Sequence, residues 1–366
     1  MGTQVIRVEK AKAGMILAAD ICTEDYKLIM AKDTVLSEKG LEILSNYSIK
    51  RITIYTEEPP KQELEEENPI ISEYQKKIVN TKEFKEFNEK FDGMVESLKG
   101  TMQSLVNAAE EEGTVLQEEL MSGIDGILSK SRNGLHTIDM LHCMREYDDL
   151  TYAHSVNVSL LCNTIAEWLG YSREDMRAVT MAGLLHDIGK LKIPPELIKK
   201  PAKLTDKEYE IVKKHTIFGY EILKRSNLNS QVILPALCHH ERCDGSGYPL
   251  GVRIEQLNEY SKIVAVADVY DAMTADRVYR KGICPFEVIE KFEREGIQKY
   301  DPNVLMPFLN KIIQSYIGTS VILSNGEKGE VIMINSKALS KPMVRVGEKF
   351  VDLSKEKNLR IENLIR

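Results

Sequence analysis

Apolar residues come in short alternating runs over the first 57 positions. Val5-Ile6-Arg7-Val8, Met15-Ile16-Leu17-Ala18, Lys27-Leu28-Ile29-Met30 and Arg51-Ile52-Thr53-Ile54-Tyr55 predict strands, with a helix over Leu41 to Tyr47, hence a small α+β module at 1–57. Residues 58–70 are acidic and punctuated by proline, the composition of a solvated linker. From 71 to 129 the period becomes helical. Phe84, Phe87, Phe91, Met94, Leu98, Met102, Leu105 and Ala109 recur at threes and fours, a coiled-coil-like seam, and Leu116, Leu120, Ile124 and Leu128 carry the helix on. Such a seam serves either packing on the chain itself or a homodimer through the 84–109 helix. Residues 130–316 keep the helical period apart from one glycine-rich loop. At 317–366 it shortens again: Val321-Ile322-Leu323, Asn325-Gly326 and Val331-Ile332-Met333-Ile334 predict a hairpin, extended by Met343–Val346 and Phe350–Leu353 into a small β module. The expected fold class is multidomain and mainly α.

A chain of 366 residues is too long for one ordinary core, and 43% hydrophobic with 29% charged residues is a globular composition. A net charge of −7 gives no electrostatic case for wrapping polymeric nucleic acid, so a small anionic substrate would need a local cationic site. Met1 to Lys10 has no apolar core of signal-peptide length, and no apolar run reaches the roughly 20 residues of a membrane span. The six cysteines, Cys22, Cys143, Cys162, Cys238, Cys243 and Cys284, form no CxxC pair and are expected as reduced thiols in a cytoplasm. All seven histidines fall within 130–316.

That segregation draws attention to Leu184-Leu185-His186-Asp187-Ile188-Gly189-Lys190. An imidazole beside a carboxylate is a mixed N/O pair suited to iron, manganese or zinc, and Gly189 is expected to end the helix that carries them. Further imidazoles share apolar faces. His154 extends the stripe Val158, Leu161, Ile165, Trp168. After a capping box at Thr205-Asp206-Lys207-Glu208, an inward face runs Val212, His215, Gly219, Ile222. Ile233 and Leu237 lead to His239-His240, and Asp268 interrupts the apolar run Val264 to Val269. A buried carboxylate must be paired or coordinated. Five inward imidazoles and two inward carboxylates approach the ligand count of a dinuclear centre.

With those residues in place, His154, His186-Asp187 and Asp268 resemble the H…HD…D signature of the HD phosphohydrolase superfamily. His239-His240-Glu241-Arg242-Cys243-Asp244-Gly245-Ser246-Gly247-Tyr248-Pro249 is similar to the HHExxDGxGYP motif of the HD-GYP family. The resemblance covers about 130–316. It implies a helical, metal-dependent phosphodiesterase that linearises cyclic di-GMP to pGpG and often continues to GMP, with iron or manganese at the site. Carried over by position, the metal ligands are His154, His186, Asp187, His215, His239, His240 and Asp268, with Asp187 bridging two ions about 3.5–4 Å apart. The family's third-metal glutamate falls at Leu150, with Asp148 and Asp149 out of register, so two ions are expected. Bridged cations would neutralise the phosphate and lower the pKa of a bridging water, whose hydroxide attacks in line. Asp187 and Lys190 are the catalytic candidates. Lys190, Gly247, Tyr248, Pro249, Arg277 and Arg280 are the substrate-binding ones, although Val278 stands where the family usually has proline, and Asp271 would orient a ligand histidine. Two other readings compete: a receptor that binds a cyclic dinucleotide without turnover, and a hydrolase of another cyclic dinucleotide such as 3′,3′-cyclic GMP-AMP.

Overall fold

The computed structural model describes residues 2–19, 21–22, 28–37, 40–41, 44, 49, 51–56, 78–107, 117–144, 150–200, 202–274, 282–356 and 358–365. The chain divides into two compact units, Met1–Pro69 and Ile70–Arg366.

In the first unit β1 (Gly2–Arg7) pairs antiparallel with β4 (Arg51–Thr56), in register from Gly2 opposite Thr56 to Arg7 opposite Arg51. β2 (Ile21–Cys22) and β3 (Leu28–Met30) form a second, very short ribbon. Met15 to Ala18 makes no strand of its own: Ile16 and Leu17 form single bridges to Val35 and Ile54. Leu17, Ile21, Leu36, Leu44, Ile52 and Ile54 close a small apolar core. The helix expected over 41–47 lies largely outside the described residues, as does the 58–70 linker.

The second unit is mainly helical. α1 (Lys82–Asn107) and α2 (Gln117–Leu128) form an antiparallel pair, with Lys130 beyond the end of α2 bonded at 2.6 Å to Glu86 in the first turns of α1. The α1 seam is covered by its own chain. Phe87, Phe91, Leu98 and Met102 are 0% exposed and share one apolar core with the helices that follow. Packing within the monomer therefore accounts for the 84–105 periodicity, and these residues offer no apolar stripe to a second copy.

α3 (Gly134–His142), α4 (Leu150–Trp168), α5 (Arg173–Leu185), α6 (Asp206–Lys213), α7 (His215–Leu223), α8 (Ser230–Cys238) and α9 (Glu259–Thr274) build the body of the unit. Their starts follow side-chain chemistry: Asn133, Ser172, Thr205 and Asn229 each accept a hydrogen bond from a first-turn amide, and Thr205 with Glu208 completes the capping box. The helix expected through 205–222 is two helices. At the joint the Val212 carbonyl accepts from the His215 imidazole and the Lys213 carbonyl from the Thr216 hydroxyl, so side chains compete for the backbone acceptors. Pro235 sits inside α8 and cannot donate to the Gln231 carbonyl; Asn258 Nδ2 does so at 3.1 Å.

α10 (Pro285–Lys291) runs on through a π turn at Phe292–Gly296, and α11 (Pro302–Gln314) leads to an antiparallel sheet. Its strands are β5 (Ser320–Leu323), β6 (Lys328–Met333), β7 (Met343–Val346), β8 (Lys349–Asp352) and β9 (Ile361–Ile365), in the order β8-β7-β6-β5-β9. The Asn325-Gly326 hairpin forms, with Gly326 at φ +84°. β9 was not anticipated from the sequence. The sheet shares the helical core, and Glu293 accepts from the Leu339 and Ser340 amides. Among the described residues no helix is long and apolar enough to cross a membrane.

Candidate metal centre

The last two turns of α5, Val179 to Leu185, are wholly buried, and the helix delivers His186 and Asp187 into the interior at 0% and 1% exposure. Gly183 lets α5 lie on α4, because a β-carbon there would meet Cys162 Sγ at 2.9 Å. Gly189 does not end the helix as expected. It lies in the 3-10 turn Ile188–Lys192, where a β-carbon would fall 1.8 Å from the His215 carbonyl oxygen. It is a glycine because α7 passes there, and that close passage brings His215 onto Asp187.

Seven side chains proposed from the sequence converge. Asp187 is central. Its Oδ1 faces His215 Nε2 at 3.4 Å and His239 Nε2 at 3.7 Å; its Oδ2 faces His186 Nε2 at 3.3 Å and His154 Nε2 at 3.8 Å. Asp268 from α9 meets His154 Nε2 at 3.0 Å and His240 Nδ1 at 3.7 Å. Three trios offer donor atoms within 4.8 Å of one another: His154/His186/Asp268 and His215/His239/His240, joined through His186/Asp187/His239.

The imidazoles are oriented from behind. Nδ1 of His186, His215 and His239 donates to the carbonyls of Gly183 (2.7 Å), Val212 (2.6 Å) and Pro235 (2.8 Å), each three or four residues earlier. A neutral imidazole whose Nδ1 carries the proton has a lone pair at Nε2, so three lone pairs point at one carboxylate. His154 is held instead through Nδ1 by Asp271 Oδ2 at 2.6 Å. Burial keeps His215 below the usual histidine range, holds His239 well below it and takes His240 down to about 3. For His154 burial opposes the charge, but the bonds to Asp268 and Asp271 prevail and push it up to about 9. Asp187 and Asp268 stay ionised far below the carboxylate range despite their burial, held by Lys190 and by His154 respectively. His186 Nε2 and Asp187 Oδ1 have no hydrogen-bond partner among the described residues. Buried lone pairs facing a buried carboxylate repel one another unless a cation sits among them. The donor set therefore fits divalent metal, in a His/Asp cluster.

Lys190 Nζ donates to Asp187 Oδ2 rather than projecting into solvent. The glycine-rich loop is tied down by Glu241, a motif residue to which the sequence assigns no role of its own. Its carboxylate is 1% exposed and accepts from the Leu250, Gly251 and Val252 amides at 2.6, 3.1 and 3.2 Å. Its sequence signal is its place as the glutamate of the HHExxDGxGYP motif, directly before the glycine-rich loop. Gly247 is required for contact, since its β-carbon would lie 2.4 Å from Glu241 Cα, and Gly245 and Gly251 turn the loop at φ +82° and +65°. Tyr248 is thereby laid on His240, ring centroids 4.7 Å apart, and Pro249 follows through a cis peptide. Leu150 opens α4, whereas Asp148, Asp149, Arg277 and Arg280 lie outside the described residues.

Comparison with known proteins agrees with this geometry. Residues 140–304 match the HD domain family, so this part of the chain is an HD domain. The His239–Pro249 run that closes the centre lies within the matched residues. Over 234 residues (64% of this chain) it is 36% identical to a cyclic di-GMP phosphodiesterase of Pseudomonas aeruginosa, covering 56% of that protein. Over 178 residues (47% of the chain) it is 39% identical to a cyclic di-GMP phosphodiesterase of Thermotoga maritima, covering 48% of it. Over 145 residues (40% of the chain) it is 39% identical to a 3′3′-cGAMP-specific phosphodiesterase of Vibrio cholerae, covering 34% of it. The chain spans about half the length, or less, of these curated relatives.

Proposed function

We propose that the chain is a cyclic di-GMP phosphodiesterase that opens the ring to pGpG, using two divalent ions, iron or manganese; whether the second bond is cut to give GMP is read from the products. The observation that carries this reading is the buried donor set: two trios of side chains on either side of Asp187, with Nε2 of His186, His215 and His239 turned inward to its carboxylate. Such a pair of ions supplies charge neutralisation for a phosphodiester and acidifies water for attack at neutral pH. The residues do the rest. His154, His186 and Asp268 form one half of the cradle, His215, His239 and His240 the other, and Asp187 offers one oxygen to each. Gly183, Val212 and Pro235 hold three imidazoles in the ligating tautomer through their carbonyls. Lys190, bonded to Asp187, is placed to donate to a phosphate oxygen, and Tyr248 with Gly247 and Pro249 walls the substrate side. Arg277 and Arg280 are proposed as phosphate and guanine contacts on the family motif alone.

The catalytic domain is taken as 130–316, flanked by modules at 1–57 and 317–366, with 71–129 as connector. A cytoplasmic setting is in keeping with the free thiols of Cys162, Cys238 and Cys243. A homodimer through the 84–109 helix is left out of the proposal, because its described seam is buried within the chain.

The test is anaerobic incubation of iron- or manganese-loaded protein with cyclic di-GMP, products being separated by chromatography. Formation of pGpG or GMP, abolished by chelator and by Asp187→Ala, is expected. Intact substrate with two ions bound per chain, or wild-type activity in Asp187→Ala, overturns it. The likeness to a 3′3′-cGAMP-specific enzyme supports a second reading, hydrolysis of the mixed dinucleotide, which running both substrates in parallel decides.

A further inference from the structure

A row of aromatic rings leads outward from the metal centre. Tyr248 lies on His240 with planes 31° apart, and Tyr209 meets Tyr248 edge-on, centroids 6.1 Å apart at 78°. Tyr209 belongs to α6, none of whose residues is fully buried, and 46% of it is exposed. A single exposed aromatic is unremarkable on its own. Here, however, a cation accompanies it. Lys213, one turn further along α6, places Nζ 5.5 Å from the Tyr209 centroid and 5.6 Å from that of Tyr248, while Glu210 holds the same ammonium at 2.6 Å. A flat π surface and a cationic donor thus stand two ring steps, 4.7 and 6.1 Å, from a candidate metal ligand. A phosphate held at the centre leaves its attached nucleoside that reach to cover.

We infer that Tyr209 and Lys213 form a base-binding shelf for the cyclic dinucleotide, a purine stacking on Tyr209 beside Tyr248 while Lys213 donates to its acceptor edge. The inference rests on the cyclic-dinucleotide reading of the centre. Any base can stack on an aromatic face. Guanine presents two adjacent acceptors, O6 and N7, to an ammonium, whereas adenine replaces the first with a donor amino group. The shelf therefore favours guanine.

Steady-state kinetics on cyclic di-GMP with the metal-loaded full chain test it in three variants. Tyr209→Phe keeps the ring face and is expected within about twofold of wild type in KM, whereas Tyr209→Ala raises KM roughly tenfold with kcat within about twofold. Lys213→Gln raises KM by roughly threefold to tenfold, again with little change in kcat. Thermal melts of all three should stay close to wild type, since Tyr209 is 46% exposed and the ammonium of Lys213 is held only by the largely exposed Glu210. An unchanged KM in Tyr209→Ala overturns the inference. So does a Tyr209→Phe as impaired as Tyr209→Ala, which would assign the effect to the hydroxyl and its packing on Tyr248. Should wild type fail to turn the dinucleotide over, calorimetric titration with cyclic di-GMP separates the two ideas. Binding weakened by Tyr209→Ala and by Lys213→Gln, but not by Tyr209→Phe, upholds the shelf while the hydrolase reading falls; equal binding by all variants, or none by wild type, removes the shelf.

Discussion

At Gly189 the backbone leaves no room for a side chain, for a β-carbon would also fall 2.4 Å from the Gly219 nitrogen. Gly189→Ala must push α7, and His215 with it, away from Asp187. We expect a loss of at least about 2 kcal/mol in stability, together with fewer metal equivalents retained after desalting. A variant with wild-type urea midpoint and metal content would refute the close-passage account. Glu241 has a comparable role in the loop. Removing its carboxylate in Glu241→Ala strands three amides, those of Leu250, Gly251 and Val252, at a cost of about 2–4 kcal/mol. Loosened Tyr248 should raise KM for cyclic di-GMP in the same variant, and the urea midpoint and KM are both readily measured.

At the scale of elements, α1 is the clearest case of one pattern with two outcomes. A stripe at threes and fours says only that a helix has an apolar face; the partner was supplied by α2 and the helices of the HD domain. Because Phe91 and Leu98 are fully buried there, Phe91→Ala or Leu98→Ala should cost about 3–5 kcal/mol and unfold connector and catalytic helices in a single transition. Two separate transitions would show the connector to be an independent unit. Thr205→Ala removes one cap from α6 and should cost about 1 kcal/mol, visible as a small shift in the same melts. The strands tell the converse story. β9 escaped notice because Ile361 and Leu364 are buried while Glu362 and Asn363 face outward, a pattern without the two-residue period that marks a half-buried strand.

For the molecule as a whole, a net charge of −7 surrounds a centre where lone pairs and carboxylates already crowd together. Lys190 on Asp187 and His154 between Asp268 and Asp271 offset only part of that crowding, so metal binding and folding of the HD domain are expected to be coupled. Stripping metal with chelator should lower the melting temperature, and re-adding manganese or iron should restore it. Ion at about 100 times its dissociation constant contributes about 2.7 kcal/mol to the folded state. A melting curve indifferent to chelator, in protein shown to have lost its metal, would dissociate the centre from stability.

Most of the site could be read from the residue order, for a physical reason. Imidazoles and carboxylates on apolar helix faces are too costly to bury without a partner, so His154, His186, Asp187, His215, His239, His240 and Asp268 stood out one helix at a time. The mainly helical class, the capping box and the Asn325-Gly326 hairpin were equally local, since each depends on neighbours within one or two turns. What required the tertiary structure was every feature that joins distant segments. The seam of α1 found its cover, Gly189 its reason in α7, Glu241 its three amides ten residues away, and Tyr209 its place in a row of rings leading to His240. Periodicity records that a face is apolar or a position small; only the packed chain decides which surface fills it.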